Sequence, residues 1–210
     1  MARAFMAKFE DVVPYMYADS KGLVTCAIGD LIDPLGHDVL TLGWVHTSDG
    51  SPASEQDIVD EWHTVKTWKL HSWPRPLTLP PEALERLFFN RLDLNESYLA
   101  RRFARWNDFP ADAQLGCHSC AWAAGSHWPA PHFDAAASAV TSDGFRACSG
   151  TAGTSGDDPS LRGEAWLRDE GNAGLRPRNL ANQWLFQNAA VVLADGYDPD
   201  QLVWPTHLDG

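Results

Sequence analysis

The sequence predicts an α+β fold, mostly helical with a small β-hairpin lobe, on three observations. Apolar residues recur at helical spacing in several separate stretches, and two short β-prone runs near the N-terminus flank a single turn signal. The composition, 44% hydrophobic and 21% charged over 210 residues, is that of a globular chain. At this length about 70% of the unfolded surface can be buried, so residues 1–210 are expected to form one bilobed domain that needs neither metal nor disulfide.

Ala2, Phe5, Met6 and Phe9 sit at i, i+3, i+4 and i+7, the stripe of a short helix. Val12, Val13 and Pro14 discourage its continuation, which leaves Glu10 at the helix end. YMYA and LVTCAI follow as strands around Asp19-Ser20-Lys21-Gly22, with Asp first and Gly fourth as a type I turn prefers. Residues 33–53 read as loop with one further strand in VLTLGWVHT. Ser54 and Asp57 then open a helix with Ile58, Val59, Trp62, Val65 and, by continuation of the stripe, Trp68 on its apolar side. Pro74, Pro76, Pro80 and Pro81 break regular structure, and a second long helix begins near Glu82 with Leu84, Leu87, Phe88, Leu92 and Leu94 apolar. Ala111–Ala124 is nearly uncharged and is expected to be the central buried helix. The glycine- and serine-rich stretch 141–163 reads as loop, and a last helix runs from Pro177 to Gly196.

The net charge of −12 repels phosphate backbones and anionic lipid, so nucleic acid is not an expected partner. No run approaches 18 apolar residues, and the N-terminal stretch lacks the apolar core of a signal peptide. Membrane insertion is not expected, and a chain made in the cytoplasm would reach a cell wall or periplasm by release or by an export machine. Cys26, Cys117, Cys120 and Cys148 are expected to be free buried thiols. Cys117-His118-Ser119-Cys120 has the gap of half a zinc site but no second pair, and 141–163 lacks the Gly-Lys-Ser/Thr ending of a phosphate loop, so no metal or cofactor is expected.

Glu10, Asp19 and Thr25 carry the chemistry. The coarse structure places them on a helix end, a hairpin turn and the returning strand, where they can meet in one cleft. Thr25 faces away from the apolar set Val24, Cys26 and Ile28. Glycoside hydrolysis needs such a set: one acid protonates the leaving oxygen, a second carboxylate activates water, and a hydroxyl holds that water. On spacing alone, the favoured reading is the plain one, in which Glu10 is a helix-end acid, Asp19 a turn residue and Thr25 a strand residue. Trp62, Trp122 and Trp184 fall on apolar helical stripes and are expected in the core. Trp44, Trp68 and Trp73 are the candidates to stack on sugar rings.

The string FEDVVPYMYADSKGLVTCAIGDLI resembles the catalytic segment of the phage-type lysozymes, the muramidases of bacteriophages. LPPEALERLFFNRLDLNESYLARRF is similar to that family's long connecting helix, DAQLGCHSCAWAAG to its central helix, and GLRPRNLANQWLF to the late helix whose arginine faces the catalytic glutamate. The resemblance implies a lysozyme-like fold, with Glu10 as general acid, Asp19 as the carboxylate that places water, Thr25 as its hydroxyl partner and Arg178 in the cleft. It implies inverting hydrolysis of the β-1,4 bond from N-acetylmuramic acid to N-acetylglucosamine, hence peptidoglycan glycan strands as partner, with an immunity protein as well if the chain is an exported antibacterial effector rather than a phage endolysin. AIGD stands where the family has Gly-Ile-Gly-His, 33–80 is an enlarged insertion, 127–170 matches poorly, and the acidic balance is unusual for an enzyme of an anionic wall. The competing expectations are a non-catalytic glycan-binding module of the same fold and a chitin or chitosan hydrolase.

Overall fold

The computed structural model describes residues 2–19, 21–32, 37–69, 75–125, 131–152 and 175–208. It is an α+β protein in which helices predominate over two small antiparallel sheets. The chain divides into two compact units, Arg3–Arg91 and Leu92–Gly210.

The first unit holds α1 (Ala2–Met6), β1 (Val13–Ala18), β2 (Val24–Ala27) and β3 (Asp30–Leu31), then α2 (His37–Thr41), β4 (Val45–His46), α3 (Glu55–Trp68) and β5 (Leu77–Thr78). It also takes the first half of α4 (Pro81–Arg102). The larger sheet runs β1-β2-β3, with Tyr17 opposite Thr25 and Thr25 in turn opposite Leu31. All four residues of the central β2 are buried, as a strand covered on both faces requires. Met16, Ala18, Val24 and Cys26 join Trp44, Ile58, Trp62 and Val65 in one core. The expected α3 cap forms in full: Ser54 Oγ accepts from the Asp57 N–H, and Asp57 Oδ2 accepts from the Ser54 N–H at 3.0 Å.

The second unit is helical: a short 3₁₀ turn at Trp106–Asp108, α5 (Ala111–Ala124), α6 (Pro131–Ser138), α7 (Ser142–Ala152) and α8 (Arg176–Asp195). Its core is aromatic, built on Phe103, Trp106, Phe109, Phe133, Phe145 and Phe186. α5 is buried along most of its length, as its lack of charge predicts. Gly116 lets α8 approach it, since a Cβ there would stand 2.7 Å from Phe186 Cζ. Asp112 accepts hydrogen bonds from the Val203 and Trp204 N–H groups and from Asn188 Nδ2, which fastens the C-terminal segment to α5 and α8.

Several expectations change. VLTLGWVHT is not one strand: Val39–Thr41 end α2, and only Val45–His46 are extended. The stretch 141–163 is not wholly loop, because Ser142–Ala152 form α7, which buries Phe145 and Cys148 while Gly144 lets the Ala136 carbonyl approach. The remainder of that stretch from residue 153 lies outside the described residues. Leu94, read as an apolar-face residue, is exposed, and Trp184 stacks on His207 instead of lying fully in the core. All four cysteines are free and buried, and burial pushes each thiol's pKa up.

Candidate functional site

α1 stops at Met6, and the chain continues through a turn in which the Glu10 N–H still donates to the Met6 carbonyl at 3.0 Å. Glu10 therefore lies in a turn four residues past the end of α1, which stops short of the helix end expected from the Ala2–Phe9 stripe. Its side chain lies against the β2–β3 connection, where a Cβ added to Gly29 would meet Glu10 Oε2 at 3.8 Å. Gly29 has φ +72°, so glycine serves there both for backbone freedom and for closeness to the carboxylate.

Asp19 heads the hairpin turn. The Gly22 N–H donates to its carbonyl at 2.9 Å, the i to i+3 bond of the expected turn. Its Oδ1 accepts from the N–H groups of Lys21 and Leu23, each at 2.8 Å, while Oδ2 accepts no hydrogen bond from the described residues. One oxygen thus builds the turn, and among the described residues the other takes no part in it. Thr25 lies on the returning strand, 5% exposed, and its Oγ1 donates to the Leu23 carbonyl at 3.3 Å. That bond leaves the hydroxyl oxygen able to accept a hydrogen bond.

Tyr17 links the three. It is the cross-strand partner of Thr25, so the two side chains share one face of the sheet. Burial and the nearby carboxylates of Glu10 and Asp19 push its phenol up to about 12. Tyr17 thus lies opposite Thr25 and within the field of both carboxylates. Sequence reasoning missed Tyr17, although strict alternation against the buried Met16 and Ala18 already assigns it to the face of Thr25.

Asp30 was also missed. It follows the tight connection of Ala27 (φ +52°) and Gly29, which Arg91 pins by donating to the Gly29 carbonyl at 2.8 Å and approaching Asp30 Oδ1 at 3.6 Å. Burial pushes its carboxyl up to about 6 against the opposing pull of Arg91, and the Glu10 charge reinforces the rise. The segment AIGD therefore sets another acid near Glu10.

No family model, curated protein or solved structure matches this chain. The site's chemistry is accordingly read from its own residues.

The tryptophans divide. Trp44 is only 2% exposed, with its indole N–H donating to the Val39 carbonyl at 2.8 Å, so it packs the core and offers no ring face to a sugar. That corrects its assignment as a substrate-binding residue, the cause being a satisfied indole inside the core that β1 and β2 share with α3. Trp68, at the end of α3, is 72% exposed. Trp73 lies outside the described residues. Arg178 belongs to the second unit, in the first turn of α8, where it is 2% exposed and close enough to Cys120 to act on its thiol. His118 of the zinc-like tetrad meets Glu96 at 2.7 Å, and the same carboxylate accepts from the Trp106 indole.

A cavity of about 230 Å³ lies elsewhere in the first unit, among His46, Asp60, Glu61, Arg75 and Leu77. Glu61 is a buried acid there. Neither of its oxygens completes a hydrogen bond of ordinary geometry, and burial raises its pKa to about 7, although Arg75 and the Leu77 N–H both favour the ionised form.

Proposed function

We propose that this chain is a peptidoglycan muramidase with a lysozyme-like arrangement of its first unit. The observation that supports the reading is Tyr17, which pairs with Thr25 across the β1–β2 hairpin while its phenol is raised by burial and by the charges of Glu10 and Asp19. In this reading Glu10 protonates the glycosidic oxygen as the bond to N-acetylglucosamine breaks. Asp19, through its uncommitted Oδ2, takes a proton from the attacking water, and the Thr25 hydroxyl oxygen helps to fix that water. Inversion demands room for a water between the two acids, a carboxyl separation of about 6.5 to 9.5 Å. Trp68 is the aromatic face available for a sugar ring, and Arg178 remains assigned by resemblance alone. Delivery to the wall, as an endolysin or as an exported effector with its immunity protein, belongs to the same proposal.

The test is digestion of purified sacculi followed by mass analysis of the fragments. Reducing-end N-acetylmuramic acid is the expected product, and Glu10→Gln is expected to lose about 10²- to 10⁴-fold in rate with its fold intact. Near-normal turnover by that variant overturns the assignment. Anhydro-muramyl ends would indicate transglycosylation, and cleavage of chitin or chitosan alone would move the substrate class.

A further inference from the structure

The chain contains four lysines, and all four fall within its first third, as Lys8, Lys21, Lys66 and Lys69. Every other cation is an arginine, in a protein of net charge −12. Lys8 precedes Glu10 by two residues. Lys21 stands in the Asp19 turn and directs its N–H to Asp19 Oδ1. The remaining two arrive from α3: Lys66 Nζ donates to the Gly22 carbonyl at 3.3 Å, and the stem of Lys69 lies over Gly22, 3.7 Å from where its Cβ would be. A distant helix end is therefore packed on the turn that presents Asp19, and the exposed Trp68 lies between its two lysines.

Cations near a helix C-terminus complement its dipole, which accounts for Lys66 and Lys69 as single residues. The dipole does not account for their meeting Lys21 on one turn, nor for an unburied tryptophan at the same place. α3 itself is strongly polarised, with Glu55, Asp57, Asp60 and Glu61 in its first half and its lysines only at the end that meets the turn. Along α3 the positive charge is thus placed at the end that meets the turn instead of being spread over the helix.

We propose that Lys21 and Lys69, with Trp68 between α3 and the Asp19 turn, form a rim that binds the carboxylates of an anionic glycan strand. The identity of that strand rests on the muramidase reading: its lactyl and stem-peptide carboxylates are the anions in question, the ring of Trp68 covers a sugar face, and the flanking ammonium groups select charged strands over neutral ones. A chain that repels anions over most of its surface would then admit its anionic substrate at one edge.

The test measures binding by calorimetry with the Glu10→Gln protein, so that turnover does not intervene. Four probes are compared: a free-acid muropeptide oligomer, the same oligomer with its carboxylates amidated, a neutral N-acetylglucosamine oligomer of equal length, and poly(glycerol phosphate). The free-acid oligomer is expected to bind about three- to tenfold more tightly than the amidated and neutral ones, the range for two exposed ion pairs, and to lose that margin as salt rises. Lys21→Gln with Lys69→Gln is expected to remove the margin, the corresponding arginine pair to keep it, and Trp68→Ala to weaken all three sugar probes alike. Equal binding of charged and neutral oligomers, or a margin that survives the double glutamine variant, overturns the proposal. Preference for poly(glycerol phosphate) overturns the assignment to carboxylates. Cleavage of sacculi with no charge preference would leave the muramidase reading standing, and a charge preference without cleavage would do the reverse.

Discussion

The two units treat their buried carboxylates in opposite ways. In the second, the buried Asp112 is met by three donors and Asn188 by the Thr206 carbonyl and the Leu208 N–H, so the polar atoms close a network that fastens the C-terminal segment. In the first, Asp30 Oδ2 and both oxygens of Glu61 complete no ordinary hydrogen bond, and burial raises the pKa of each, as it does that of Asp112. A satisfied network contributes to stability, whereas a buried acid held partly unsatisfied costs stability and is available for chemistry or pH response. The candidate site lies in the unit that bears that cost.

Substitutions can sharpen or break the contrast. The largest effect on stability is expected from Asp112→Ala, which strands two backbone N–H groups and one Asn188 donor. It should cost about 3 kcal/mol, read by denaturant unfolding and by lost hydrogen-exchange protection around residues 197–208. A change below about 1 kcal/mol would mean that the network is not what closes this unit. Next, Gly116→Ala drives a methyl into Phe186, whose ring is held by Phe133 at 5.2 Å. The overpacking penalty exceeds the helix-propensity gain of about 1 kcal/mol, for a net loss of about 1 kcal/mol.

For Glu61 the sign follows from a pKa raised in the folded state. Between its ordinary value near 4.5 and about 7, the folded chain holds a proton that the unfolded chain has released, so the stability present below pH 4.5 is lost as pH rises through 7. Glu61→Gln is expected to flatten that decline between pH 5 and 8, by about 1 kcal/mol once water contact is allowed for, and thermal melts across the range would show it. An unchanged slope would assign the pH response to Asp30. The smallest effect is expected from Ala27→Gly: at φ +52° glycine relieves a strained backbone but loosens the unfolded chain, for a net gain of at most about 1 kcal/mol.

What the sequence discloses and what it hides divide along local and distant causes. The α3 capping box, the Asp19 turn and the uncharged α5 are each decided by residues within one or two turns, and each forms as its residues dictate. β3 is two residues long and exists because β2 lies beside it, so no periodicity could reveal it. α7 is glycine-rich in composition, yet Gly144 is there to admit α6, and only the packed pair makes that glycine helical in purpose. Trp44 looked like a surface ring because its segment is loop-like, but a carbonyl five residues earlier in the chain satisfies its indole. In the candidate site, Glu10, Asp19 and Thr25 were visible as a pattern, whereas the setting of Asp30 depends on Arg91, which lies 61 positions further along the chain.

The divided labour of Asp19's two oxygens bears on how mutational data at this site should be read. Hairpins close in about 1 to 10 μs, and a side chain that ties two N–H groups into the turn takes part in that closure as well as in any later turnover. Asp19→Asn keeps an oxygen for the turn and discards the charge, whereas Asp19→Ala discards both. A screen that scores only activity would rank the two variants together, although one loses a reactive group and the other also loosens the hairpin that presents Thr25.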